Sequence, residues 1–166
     1  MFRDQITVRR VRPGDAARLE AFYAGLSDDS RAARFHGASR GISHAQAEHY
    51  SAADHRQRDG FIAERDGQVV GHLVLEPVKP GVEELGVVVA DDVQHHGVGS
   101  LLMAAAVASA RLRDVRSLRA WIRPDNEVMR RLFTGTSYRA VLVGWDGSDA
   151  RYEIQVPPAT PAAPAA

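Results

Sequence analysis

Cysteine is absent from all 166 residues, which removes disulfides, thiolate metal sites and a cysteine nucleophile together. Lysine is nearly absent: of 21 basic residues only Lys79 is not arginine. An excess of either charge is missing too. The 21 acidic residues balance the 21 basic ones, so no net field draws the chain to nucleic acid or to an anionic membrane. Its apolar runs fall far short of the roughly twenty residues that cross a bilayer, and residues 1–10 carry charge where an apolar signal segment would stand. A soluble, cytoplasmic protein is expected. A chain of this length buries about two thirds of its unfolded surface, enough for one core in one domain, expected over residues 1–156.

Alternation of apolar and polar residues predicts a strand over Ile6–Val11, which Pro13-Gly14-Asp15 ends, with Asp15 placed as the cap of the next helix. Ala16, Leu19, Phe22, Tyr23 and Leu26 recur at helical spacing. Ser27-Asp28-Asp29-Ser30 introduces a short helix to Phe35, and Ser43 with Gln46 has the spacing of a capping box ahead of a third. From Gly60 the period becomes two. A strand around Phe61–Glu64, a tight turn at Asp66-Gly67, a strand over Val69–Glu76, a turn over Pro77–Gly81 and a strand over Val82–Ala90 form a meander. The apolar end Leu85–Val89 is expected to be buried on both faces, in mid-sheet. A helix over Ser100–Leu112, a strand over Leu118–Ile122, a helix from Asn126 to about Phe133 and strands over Tyr138–Gly144 and Arg151–Val156 follow. The tail 157–166 is rich in proline and alanine and is expected to be disordered. The order predicts an α+β fold, a mixed and mostly antiparallel central sheet flanked by helices.

Between the buried strand and the alanine-rich helix lies Gln94-His95-His96-Gly97-Val98-Gly99-Ser100. Backbone amides at such a strand-to-helix turn converge on one concavity, and the helix dipole adds positive potential, so an anion is the natural guest. Gly97 and Gly99 permit unusual backbone angles and a close approach to the main chain. A ligand-free glycine turn is the plain alternative. No lysine follows the glycines, which argues against a nucleotide-triphosphate loop, and the third glycine of the dinucleotide fingerprint is missing.

The Q-x-x-G-x-G segment Gln94–Gly99, after an apolar strand and before a helix, a strand and an Asn-initiated helix, resembles the acetyl-CoA site of GCN5-related N-acetyltransferases. The resemblance spans Ile6 to Val156. Leu26-Ser27-Asp28-Asp29-Ser30 with Arg34-Phe35 also resembles bacterial protein-lysine acetyltransferase domains. What the resemblance implies is acetyl-CoA as cosubstrate, its pyrophosphate held by Gln94, His95, His96, Gly97, Val98, Gly99 and Ser100, with Val87 and Val89 pairing with the pantetheine amides and Asn126 contacting the cofactor.

By the same resemblance Glu84 is the general base that takes a proton from the acceptor amine, with apolar neighbours raising its pKa, while Glu83, on the opposite face, is a bystander. The place where the family often has a tyrosine acid falls on Phe133, which has no proton to give. Arg130 and Arg131 read first as a solvated helix face, second as partners for a phosphate. Adjacent His95 and His96 are poorly placed to chelate one ion, so no metal is expected. The acceptor is a protein lysine or a small amine, with His36, His44, Tyr50, Asp54 and His55 on its side of the site. A non-catalytic acyl-CoA sensor is the alternative from another class. Oligomeric state is not legible.

Overall fold

The computed structural model describes residues 5–135, 138 and 140–158. Strand β1 (Thr7–Arg10) is followed by helices α1 (Ala16–Ala24), α2 (Asp28–Phe35) and α3 (His44–Ser51), then by the meander β2 (Asp59–Arg65), β3 (Gln68–Lys79) and β4 (Val82–Val89). Helix α4 (Val98–Leu112), strand β5 (Ser117–Ile122), helix α5 (Glu127–Thr134) and strands β6 (Ala140–Asp146) and β7 (Asp149–Gln155) complete the chain. The seven strands form one sheet in the order β1-β2-β3-β4-β5-β7-β6. Every neighbouring pair is antiparallel except β4 and β5. The expected mixed, mostly antiparallel sheet with flanking helices is what forms, and β4 lies at its middle.

Each face of the sheet has its own cover. Helix α4 buries Val98, Leu102, Met103, Ala106, Val107 and Ala110 against Leu73, Leu75, Leu85, Leu118 and Ile154. Each large apolar side chain removed from water this way stabilises the fold by about 1.5–3 kcal/mol. The opposite face is covered by α1 through Leu19, Phe22 and Tyr23, with Val88 of β4 among their neighbours. Strand alternation therefore sends Glu83, Leu85 and Val87 toward α4, and Glu84, Gly86 and Val88 toward α1 and α2. The apolar end of β4 is only partly enclosed, with Leu85 and Val88 buried and Gly86, Val87 and Val89 half-buried.

Local details depart from the sequence reading in instructive ways. Asp15 stands at the start of α1 but does not cap it with its side chain. Its carboxylate instead takes both Arg9 Nη atoms at 2.8 Å, the Arg12 amide at 2.8 Å and Arg18 Nη1 at 3.2 Å. Charge-assisted bonds outcompete a neutral cap amide, and the Arg9 guanidinium holds the Asp15 carboxyl down at about 2. The turn expected over Pro77–Gly81 is shorter, because β3 runs on through a bulge to Lys79. Helix α2 begins at Asp28 and α4 at Val98, each earlier than expected. The capping box at Ser43 and Gln46 forms as read. Residues 159–166 of the tail lie outside the described residues.

Candidate functional site

Strands β4 and β5 pair only from Val82 to Glu84 against Ser117 to Arg119. Beyond Glu84 they part, and a groove of about 1030 Å³ opens between them. It is lined by Leu85–Val89 on one side, Trp121 and Arg123 on the other, and residues of α5 including Met129 and Leu132. At its far end stand Gln94, His95, Gly97, Val98, Gly99 and Ser100. Strand edge, glycine turn and helix start thus converge on one cavity.

The turn is built to leave amides available. Gly97 adopts φ 83°, a left-handed conformation at which α4 begins, and no side chain caps that helix. The first amides of a helix have no intrahelical acceptors, so those of Val98, Gly99 and Ser100 are offered to an anion together with the positive end of a 15-residue helix. His95 also has a left-handed φ of 63°. His96 is exposed and is not among the groove-lining residues. Gln94 lines the groove, but its side-chain amide is committed to the protein, donating to Ser30 Oγ and the Val89 carbonyl at 3.1 Å each. Among the described residues no cluster of three or more potential ligands stands ready for a metal ion.

Helix α2 is fastened to this turn. Asp91 accepts from the Ser27 amide at 3.0 Å, the Ser27 hydroxyl at 2.6 Å and the Ser30 hydroxyl at 2.7 Å. Burial alone would raise the Asp91 carboxyl, but these bonds outweigh it and hold the group below its ordinary value. Ser27 meanwhile caps α2 through the Ser30 amide. The other end of α2 delivers Arg34 to the groove wall at Gly86. A Cβ on Gly86 would lie 2.5 Å from the guanidinium carbon, so the guanidinium occupies the space that the glycine leaves.

Glu84 sits at the vertex where the strands part. It is exposed rather than enclosed by apolar groups, contrary to the sequence reading, and accepts from Trp121 Nε1 at 3.1 Å. Directly across the β3–β4 ladder is Glu76, whose carboxylate meets His49 Nε2 at 2.8 Å. Glu83 is more than a bystander. It is buried on the α4 face in a bidentate pair with Arg113, one arm of it at 2.8 Å. Behind the groove, His72 lies opposite Val88, its Nδ1 3.0 Å from the Tyr23 hydroxyl. Burial, assisted by the Arg34 charge, drives the His72 imidazole down to about 3 and leaves it neutral. Burial raises the Tyr23 phenol to about 12, the Arg34 charge acting the other way.

Of the residues expected on the acceptor side, Tyr50 and His36 reach the groove. His44 pairs with Glu20 at the surface, Asp54 accepts amides of residues 56 to 58, and His55 bonds buried Asp59 and the Val11 carbonyl. Asn126 lines the groove while capping α5 through the Met129 amide at 3.0 Å. Phe133 is fully buried in the α4 core. Arg130 and Arg131 both reach Glu127, and Arg131 also touches the groove. Residues 136 and 137 lie outside the described residues. The sequence reading gave no role to Trp121, Glu76 or the Asp91 clamp. Trp121 bonds Glu84 from β5 and Glu76 stands opposite it on β3, neighbours that only the folded sheet brings together.

The sheet parts beside a helix start that no side chain caps, so one groove has a free strand edge along its wall and unpaired amides at its end. The sequence profile of the acetyltransferase (GNAT) family matches residues 20–135, and the chain belongs to that family. It is an acetyl-CoA-dependent N-acetyltransferase. Among solved structures it is similar to the GNAT domain of PAT from S. lividans, with 26% identity over 89% of each chain and a TM-score of 0.83. It shares its fold with the yncA protein of Salmonella typhimurium, solved with its cofactor acetyl-CoA, at 20% identity over 98% and 99% of the two chains and a TM-score of 0.72. A ribosomal-protein-alanine N-acetyltransferase from Brucella melitensis matches at 23% identity over 90% of this chain and 98% of its own, with a TM-score of 0.70. No helix among the described residues is long and apolar enough to cross a membrane.

Proposed function

We propose that the chain acetylates a primary amine by direct attack within a ternary complex, and that the acceptor is a protein lysine. One observation carries the reading: the β4–β5 pairing ends at Glu84, so a carboxylate stands at the mouth of a groove that runs to the α4 amides. The amides of His95, His96, Gly97, Val98, Gly99 and Ser100 suit a pyrophosphate. Val87 and Val89 lie on a strand edge that an extended pantetheine can join as an added strand. Asn126 holds the far wall in place through its cap, and Gln94 acts by bracing the turn rather than by touching the ligand.

Acetyl-CoA supplies an activated thioester. Glu84 takes one proton from the acceptor ammonium, which frees the nitrogen lone pair for attack. The C–N bond forms, the C–S bond breaks, and sulfur leaves with its electron pair. Phe133 is sealed in the core, so the thiolate is protonated by water in the open groove. A mouth flanked by Glu76 and Glu84, with Trp121 and Tyr50 beside them, suits a cation on a long aliphatic stem. The likeness of the Leu26–Phe35 segment to protein-lysine acetyltransferase domains points the same way.

The test is acetyl-CoA calorimetry on the purified chain, followed by thiol release with lysine-bearing proteins and small amines. Binding with release on proteins is expected. Release only on small amines replaces the acceptor, binding with no release on either panel favours an acyl-CoA sensor, and no binding overturns the site.

A further inference from the structure

We propose that Arg34 is a catalytic residue of this site: its guanidinium stabilises the negative charge that gathers on the thioester oxygen as the acceptor nitrogen bonds to the acetyl carbon. The inference rests on the acetyltransferase reading above and adds to it a group that the base at Glu84 does not supply. Glu84 and the turn amides account for the proton and the phosphates, but the sulfur end of the groove has so far only main-chain donors to meet a developing oxyanion.

Three observations converge. Arg34 lines the groove, and its side chain lies on Gly86, two residues into the parted stretch and next on the same face of β4 after Glu84. A Cβ at position 86 would overlap the guanidinium where it lies, so the arginine holds this place only beside a glycine. Arg34 Nε is shut off from water and the guanidinium bonds the Tyr23 hydroxyl on its inner side, so the part that lies on the groove strand at Gly86 is the Nη edge. The guanidinium carbon stands 5.1 Å over the Phe35 ring, which holds a cation in place without consuming its hydrogen-bonding edge.

The position is also rigid. Helix α2 is pinned at its first turn to the phosphate turn through Ser27, Ser30 and Asp91, and it carries Arg34 in its last turn. The helix therefore fixes the distance between the anion end of the groove and the guanidinium. Donors held in place before the reaction stabilise transition-state charge without the cost of reorganising as it develops. Atoms and electrons balance without any further reagent. One ammonium proton goes to Glu84, the carbonyl π pair moves onto oxygen beside Arg34, and its return expels the thiolate. The second proton on nitrogen leaves to water.

The experiment uses the full chain with acetyl-CoA labelled with carbon-13 at the carbonyl. The infrared carbonyl band of the bound thioester is expected at lower frequency than in solution, and back toward the solution value in Arg34→Gln. Turnover in that variant is expected to fall about 10²–10³-fold, with acetyl-CoA affinity and acceptor KM little changed. Arg34→Lys should recover part of the loss. Gly86→Ala leaves the arginine in the chain but displaces it, so it should reproduce the loss, and add little to Arg34→Gln when the two are combined. An unshifted band and full turnover in Arg34→Gln, or a loss confined to acceptor KM, would overturn the proposal while the acetyltransferase site stood. A wild-type chain that bound no acetyl-CoA would overturn both.

Discussion

Glu83 and Glu84 are adjacent and chemically identical, and the pleat of β4 sends them to opposite sides of the sheet. Glu83 is buried against α4, where Arg113 takes both its oxygens. Glu84 is exposed at the point where β4 and β5 separate, with Trp121 as its partner. The first carboxylate holds the wall of the groove and the second faces its contents. A residue's role here is set by the strand register and by where the pairing stops, since one residue's shift would exchange the two.

The largest effect is expected at Glu84. Glu84→Gln is expected to lower turnover by about 10²–10⁴-fold while leaving the thermal midpoint and acetyl-CoA affinity near those of the wild type. Equal activity would remove it as the base. Glu83→Ala should do the reverse. It removes the bidentate partner of the buried Arg113 guanidinium, leaving only Ser109 at 3.1 Å and Asp59 at 3.9 Å, at a cost of about 3 kcal/mol, read as a lower urea midpoint, with turnover per folded molecule preserved.

On the groove side of the sheet, the neutral burial of His72 adds a pH dependence. Its folded pKa is depressed from 6.5 to about 3, so the unfolded chain binds the extra proton. Stability is fully present above about pH 6.5 and declines as pH falls toward 3, by about 2 kcal/mol between pH 7 and pH 5. Urea titrations of wild type and His72→Gln should differ by that slope, and parallel curves would rule it out.

Asp91→Asn should loosen the clamp between α2 and the turn that leads into α4. About a tenfold loss of acetyl-CoA affinity, or about 1.4 kcal/mol, is expected by calorimetry. The smallest effect is assigned to Asn126→Ala, about 1 kcal/mol of stability through the lost α5 cap. A much larger drop in acetyl-CoA affinity than in stability would show that Asn126 also contacts the ligand.

Much of this was readable from the chain because the signals were local. Periodicity placed the meander, the Ser43 box marked α3, and the glycines after Gln94 marked the turn at which α4 begins. The misread parts depended on partners in other elements of the fold. Asp15 abandons its cap for Arg9 on the strand before it, and Glu84 is bounded by Trp121 and Glu76 rather than by the apolar residues beside it in sequence. Arg34 looked like part of a motif with no task until the fold laid it over Gly86, some fifty residues further on.

The brevity of the β4–β5 ladder leaves its mark on the main chain itself. Beyond Glu84, the backbone groups of β4 that point toward β3 are held by a continuous ladder, while those on the other edge have no strand to meet. Alternate peptide groups along one strand therefore live in different regimes of solvent exchange. Past Glu84 the protein keeps one edge of β4 open, in the form that suits an extended ligand lying as an added strand.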